Sequence, residues 1–189
     1  MPKKNFVVKG VVLSALCVTL SARAVITTSV EPIIGYERVQ KLVPTPHTHD
    51  RLAYGLRAII GLPLISVETE YLRGNDTETF PSQNLTTEDT DDEAKLGLRS
   101  TFSLMSLVNF HLRAGAQATQ NHHSQTLNGV NTTSSGAVKY APYGGAGLGV
   151  RLSSHFSLNA DVVAVFVNFP HDFSQNEYQT TAGFTVRFP

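Results

Sequence analysis

From Tyr178 onward the chain reads YQTTAGFTVRFP, in which Tyr178, Thr180, Ala182, Phe184, Val186 and Phe188 alternate with Gln179, Thr181, Gly183, Thr185 and Arg187. A strict period of two is a strand with two unlike faces, one for an apolar surround and one for a polar surround. The pattern does not say which face is the inside. A soluble ligand-binding barrel and a membrane barrel share this alternation with the faces exchanged.

The same alternation recurs along the chain, in segments at about Thr27–Val39, Arg51–Leu62, Ile65–Arg73, Ala94–Phe102, Leu107–Gln120, Val138–Leu152, Phe156–Asn168 and Glu177–Phe188. It is clearest where Phe156, Leu158, Ala160, Val162, Ala164 and Phe166 oppose Ser157, Asn159 and Asp161. Val108, Phe110, Leu112, Ala114, Ala116 and Ala118 likewise oppose Asn109, His111, Arg113, Gly115 and Gln117. Glycine and β-branched residues inside the segments oppose a helix. Several segments are near the length that crosses a bilayer as a tilted strand.

The N-terminal stretch MPKKNFVVKGVVLSALCVTLSARA has Lys3 and Lys4, an apolar run from Val11 to Leu20, and Ala22-Arg23-Ala24 as a small-x-small cleavage site. It is expected to be a secretory signal peptide over residues 1–24, leaving 25–189 as one domain. The single cysteine of the chain, Cys17, would leave with it, so no disulfide framework is available to the exported protein. Loss of Lys3, Lys4, Lys9 and Arg23 turns the balance of 15 basic and 15 acidic groups into 11 against 15. A mildly acidic chain is not expected to bind nucleic acid.

The connections between segments alternate in length. Pro63-Leu64, SLMS and SSH are short, whereas QKLVPTPHTHD, GNDTETFPSQNLTTEDTDDE, NHHSQTLNGVNTTSSGA and PHDFSQN are longer and polar. Tight turns on one rim and extended connections on the other are the habit of an up-and-down membrane barrel. The expected fold is therefore all-β, an eight-stranded antiparallel up-and-down transmembrane β-barrel with short periplasmic turns and long outer loops. Tyr36, Tyr54, Tyr71, Phe102, Tyr140, Phe156, Tyr178 and Phe188 fall near segment ends, where interfacial girdles belong.

With these features the chain resembles the small bacterial outer-membrane barrels of the OmpA-like and OmpX-like type. The resemblance implies an outer-membrane location, with outer-membrane lipid and lipopolysaccharide around the barrel. It also implies that Gly183, Phe184, Val186 and Phe188 act as a signal to the outer-membrane assembly machinery. Recurrent Thr, Ser and Asn in the second and third long connections suit a solvated surface open to an extracellular ligand, a host surface or no partner at all.

An outward apolar face puts Glu31, Glu37, Arg57, Glu68, Glu70, Lys95, Arg99, Arg113, Arg151, Asp161 and Arg187 inside. Unpaired charge in a narrow lumen is costly. The expected arrangement is an interior ionic network of Arg57, Glu68, Glu70, Arg99, His111, Arg113 and Asp161. Folding about Pro63-Leu64 sets Arg57 opposite Glu70, and folding about Met105 sets Arg99 opposite His111. Such a network is polar packing or, alternatively, the gate of a narrow channel for ions or small solutes. Inward glycines, Gly145, Gly147 and Gly149 among them, are expected to make room for long side chains.

No cofactor is implied, since GGAGLG lies within an alternating strand and opens no helix. No catalytic Ser-His-acid set is expected to converge. His47, His49 and Asp50, His122 and His123, and the acidic run Glu88, Asp89, Asp91, Asp92 and Glu93 are read as solvated loop, with no metal site assigned. A soluble periplasmic barrel of the lipocalin class is the remaining rival, and it requires Phe184, Val186 and Phe188 to be inside.

Overall fold

The alternating segments pair edge to edge until the first meets the last. The structure, a computed structural model, describes residues 26–41, 47–62, 64–167 and 176–188. The expected leader and its cleavage point, Pro63, most of the segment that holds His171, and Pro189 lie outside the described residues.

The strands are β1 (Thr27–Lys41), β2 (His47–Gly61), β3 (Ile65–Phe80), β4 (Leu85–Ser103), β5 (Val108–Leu127), β6 (Val130–Ser135), β7 (Lys139–Arg151), β8 (Phe156–Val165) and β9 (Glu177–Phe188). Their order is β4-β3-β2-β1-β9-β8-β7-β5, and a β4–β5 pairing closes eight of them into an antiparallel ring. Closure removes the two edges that an open sheet of this composition would expose. The sixth strand stands outside the ring, continuing the edge of β5 above its pairing with β7.

The faces are inverted relative to a water-soluble barrel. Leu52, Leu56, Val67, Leu98, Leu112, Leu148 and Val162 are exposed, whereas Glu31, Arg57, Glu68, His111 and Asp161 are buried. Phe184 and Phe188 are 37% and 47% exposed, on the outward row that also carries Val186, which overturns the lipocalin-like rival. Tyr36, Tyr54, Tyr140 and Tyr178 mark one end of the apolar belt, and Phe102, Phe156 and Phe188 the other. Phe156 and Phe184 stack with centroids 5.4 Å apart. From Tyr178 to Phe188 the strand rises about 33 Å, which at a tilt near 40° spans about 25 Å, the height of the lipid-facing band of membrane barrels.

Two of the four long polar connections are themselves strand. The third and fourth strands pair rung by rung from Ile65↔Ser100 to Phe80↔Leu85, joined by the 3₁₀ turn Pro81–Gln83 and by Asn84 at φ 48°. Proline at the first position of that turn and asparagine in the left-handed region suit each residue. Strand β5 runs on to Leu127 and returns as β6 through Asn128-Gly129, both at positive φ. Asn-Gly is the strongest short hairpin signal a sequence carries. The result is a β3–β4–β5–β6 wall on one side of the barrel, reaching on the order of 30 Å of strand beyond Tyr71. The alternating Thr, Asp and Glu of this stretch make pleated, half-solvated sheet, and the reading of these residues, and of His122 and His123, as loop is corrected accordingly; His47, His49 and Asp50, also read as loop, belong to β2 and pair with β1.

Substituting Leu112→Arg, at mid-belt and 46% exposed, is expected to lower stability by about 2–4 kcal/mol, the usual cost of a cation on the lipid face at mid-membrane. Denaturant titration of the protein refolded in lipid vesicles measures this. An unchanged midpoint would mean that the belt faces water.

Candidate functional site

Arg57 sits at the centre of the lumen with no exposed surface. Its placement follows from the β2–β3 turn, which sets Arg57 opposite Glu70, while β1 places Glu31 on its other side. Arg57 Nε donates to Glu70 Oε2 at 2.7 Å, Nη1 donates to Glu31 Oε1 at 3.0 Å and Asp161 Oδ2 at 2.8 Å, and Nη2 donates to Thr181 Oγ1 at 3.2 Å. The planar fork of arginine is suited to bridging carboxylates that converge from different strands. A lysine has the charge but not the geometry.

The rest of the core is built outward from these acids. Glu70 also accepts from Lys95 Nζ at 2.9 Å and Arg113 Nη2 at 2.7 Å. Glu68 pairs with Arg113 Nη2 at 2.6 Å, accepts from the Tyr143 hydroxyl at 3.2 Å, and lies 3.7 Å from Arg99 Nη1. The Arg113 guanidinium stands over the Tyr143 ring, 5.5 Å from its centroid. His111 Nε2 bonds Asp161 Oδ1. Glu31, Glu68, Glu70 and Asp161 are thus matched by Arg57, Lys95, Arg99 and Arg113.

Glycines let these side chains reach over intervening strands. Glu68, Gly97, Gly115 and Tyr143 lie on one rung across β3, β4, β5 and β7, so the tyrosine crosses two glycines to meet its acid. Gly147 lies between His111 and Asp161 in the same way, and a Cβ there would collide with both. At Gly183 a Cβ would stand 2.7 Å from Glu31 Cγ, blocking the path by which Asn159 Nδ2 reaches Glu31 Oε2 at 2.9 Å.

The structure therefore brings Arg57, Glu68, Glu70, Arg99, His111, Arg113 and Asp161 into one region, with two corrections of detail. Arg99 stands opposite Arg113, and His111 opposite Thr101. The turn is centred one residue later than Met105, because Leu104 N and Met105 N both donate to Val108 O while Ser103 pairs with Asn109. Arg151 and Arg187 do not join the core.

A second cluster toward the wall was missed in the sequence. Arg51 Nε donates to Glu37 Oε2 at 2.8 Å, Arg51 Nη1 pairs with Asp91 Oδ2, and Glu93 Oε2 receives Lys95 Nζ at 3.2 Å and Gln179 Nε2 at 2.7 Å. Arg51 is in phase with Arg57 inside the segment Arg51–Leu62, and Glu93 is in phase with Lys95 one residue ahead of the segment Ala94–Phe102, so both were readable from phase. Gly183 lines the lumen while Phe184, Val186 and Phe188 point outward, which separates the four residues of the terminal motif between the two faces.

One row of Ser, His and acid does form on the outer surface. His122 Nδ1 lies 3.0 Å from Ser135 Oγ, and its Nε2 lies 3.6 Å from Asp92 Oδ2. The second distance exceeds a hydrogen bond, and with its side chain 42% exposed the ring is not held as a base is held in a relay. His123 Nδ1 lies 2.6 Å from Asp89 Oδ1, across β4 and β5. Among the described residues no group of three or more His, Cys, Asp or Glu is placed to hold a metal ion.

No protein-family model and no curated protein sequence matches the chain. Solved structures do. Neisserial surface protein A is 14% identical with a TM-score of 0.54, covering 86% of this chain and 97% of its own. Ail, the attachment invasion locus protein of Yersinia pestis, is 11% identical with a TM-score of 0.57, covering 86% and 98%. The outer membrane protein OprG of Pseudomonas aeruginosa is 11% identical with a TM-score of 0.53, covering 86% and 95%. The chain has the fold of the small eight-stranded outer-membrane barrels. At these identities the likeness concerns the barrel, and the charges inside it belong to this chain's own sequence.

Replacing Arg57 by Met leaves Glu31, Glu70 and Asp161 short of a cation in a closed lumen. A loss of about 3–5 kcal/mol is expected, as for other broken buried ion pairs. Arg73→Met, which removes an exposed partner 3.8 Å from Asp92, is expected to cost under about 1 kcal/mol. Unfolding of both variants in vesicles checks the contrast, and equal losses would deny the core its role.

Proposed function

We propose that the protein is a bacterial outer-membrane barrel that is closed to solutes at mid-height and acts as a structural or recognition protein through its β3–β6 wall. The observation that carries this is the inversion of its faces, an apolar belt outside and a neutralised ionic core inside. Residues 1–24 serve as its export leader, and outer-membrane lipid and lipopolysaccharide are its surround. The outward residues of the terminal motif, Phe184, Val186 and Phe188, present one apolar row to the outer-membrane assembly machinery.

The fully buried Arg57 cluster favours a closed barrel over a narrow channel, since a path for ions would have to part at least three of its bonds at once. The exposed Ser135–His122–Asp92 row lacks a held base, and no enzymatic activity is proposed.

The charge of the wall restricts what it recognises. Ail has been solved with the heparin analogue sucrose octasulfate, a polyanion. Here the wall presents Glu78, Glu88, Asp89 and Asp92 with some surface exposed, whereas Asp76 and Glu93 are buried and Asp91 is paired with Arg51. Repulsion disfavours a polyanion on this surface, so a cation-rich extracellular partner fits it better.

The expected outcome is an outer-membrane protein whose gel mobility shifts only on boiling, because folded membrane barrels resist detergent until heated. The purified barrel should be silent in a planar bilayer across a range of voltages. A soluble, unshifted protein would overturn the membrane reading, and steady single-channel steps would overturn the closed lumen alone.

A further inference from the structure

Below the ionic core, the half of the lumen nearest the short turns holds a cavity of about 380 Å³. Its lining is hydroxyl-rich and basic, including Arg99, Arg151, Arg187, Ser29, Ser157 and Thr185. With a water occupying about 30 Å³ of liquid, the space holds on the order of a dozen waters, or a small oxyanion and part of its hydration shell.

The carboxylates nearest this space are already committed. Glu31 is held by Arg57, Asn159 and Thr185, Asp161 by Arg57 and His111, and Glu68 through Oε1 by Arg113 and Tyr143, its Oε2 meeting Arg99 and Arg57 only at 3.7 and 3.9 Å. By contrast, Arg99 Nη1 and Arg151 Nε are buried without a hydrogen-bond partner among the described residues. Arg99 is itself only 6% exposed, and its approach to Glu68 at 3.7 Å is too long for a hydrogen bond. Neither Arg151 nor Arg187 has a carboxylate in ion-pair range among the described residues. Arg151 pairs in register with Ser157, Ser157 with Thr185, and Arg187 with Ser29, so each cation stands beside a hydroxyl.

Two guanidiniums without a carboxylate in range, Arg151 and Arg187, together with the unused Nη1 donor of Arg99 and ringed by hydroxyls, make an anion site. We infer that this vestibule binds a phosphate oxyanion, as free phosphate or as the headgroup of an anionic phospholipid, entering from the short-turn end. A tetrahedral oxyanion uses the forked donors of more than one arginine and accepts from the hydroxyls with its remaining oxygens, which a halide cannot do. The rim is compatible with either source. Leu64, Leu104, Met105 and Leu152 are exposed on the three tight turns, apolar side chains at the short-turn end that suit contact with lipid.

The test uses the mature chain refolded in phosphate-free nonionic detergent, with inorganic phosphate titrated in one arm and short-chain phosphatidylglycerol in the other, followed by calorimetry and phosphorus NMR. Saturable binding is expected in at least one arm, and which arm responds identifies the source. Arg151→Gln combined with Arg187→Gln should weaken it by about tenfold or more, the scale of one lost charge-assisted hydrogen bond. Arg73→Gln, at the far end of the barrel, should leave it unchanged. The heat-dependent mobility shift certifies that each variant is folded, and Arg151→Lys supplies a milder change that is expected to weaken binding less. Absence of binding in both arms, or equal binding by the folded double variant, would overturn the inference.

Discussion

An arginine with no exposed surface at the centre of a narrow lumen must have its charge cancelled by geometry, and this requirement organises the barrel. Leaving such a cation alone costs several kcal/mol, so the strands that face Arg57 are obliged to deliver acids to it. They do so from separate parts of the chain: Glu31 from β1, Glu70 from β3 and Asp161 from β8. A one-residue slip in any of these strands would send its acid to the lipid and an apolar residue to the arginine. The core thereby fixes register around the ring, a task that a lipid-facing apolar surface, tolerant of any greasy side chain, performs poorly.

Satisfying Arg57 also explains why the interior is rich in glycine. In a narrow barrel, neighbouring inward side chains on one rung compete for the same space. Gly97 and Gly115 open a path for Tyr143 to Glu68, and Gly147 opens one for His111 to Asp161. Each glycine weakens its own strand by the loss of side-chain packing. That loss is offset by a hydrogen bond to a charged group that would otherwise be buried unmet, a difference of roughly 1–3 kcal/mol or more.

The sequence was informative where one face of a strand has a single chemistry. Alternation identified the eight ring strands, and the tight Pro63-Leu64 turn was short enough to place Arg57 against Glu70. The SLMS turn allowed two solutions that differ by two residues. An error of two preserves the faces, which is why Arg99, His111 and Arg113 were put inside correctly while their partners were not. Above the membrane the alternation joins polar to polar, so hydropathy carries no period there and the wall went unread, taking Glu93 with it; Arg51, the first residue of its segment, was passed over although in phase with Arg57. Asn128-Gly129 was the local signal that marked the hairpin. No one-dimensional pattern reveals that Gly147 separates His111 from Asp161, because that relation exists only once β5, β7 and β8 are side by side.

The same ledger of charges gives the lumen a direction. At mid-height four acids meet four permanent cations, and the sum is close to zero. Toward the wall, Glu37, Asp91 and Glu93 share Arg51 and the already engaged Lys95, so that end is acidic. Toward the short turns, Arg151 and Arg187 have no acid at all in range among the described residues, so that end is basic. Neither excess can be relieved through the core, whose acids and cations are engaged with one another. An arrangement of this kind repels anions at one mouth and draws them at the other. The two faces of the membrane would therefore meet opposite charges in one closed barrel, and any ligand that enters from the basic side would stop against the Arg57 cluster.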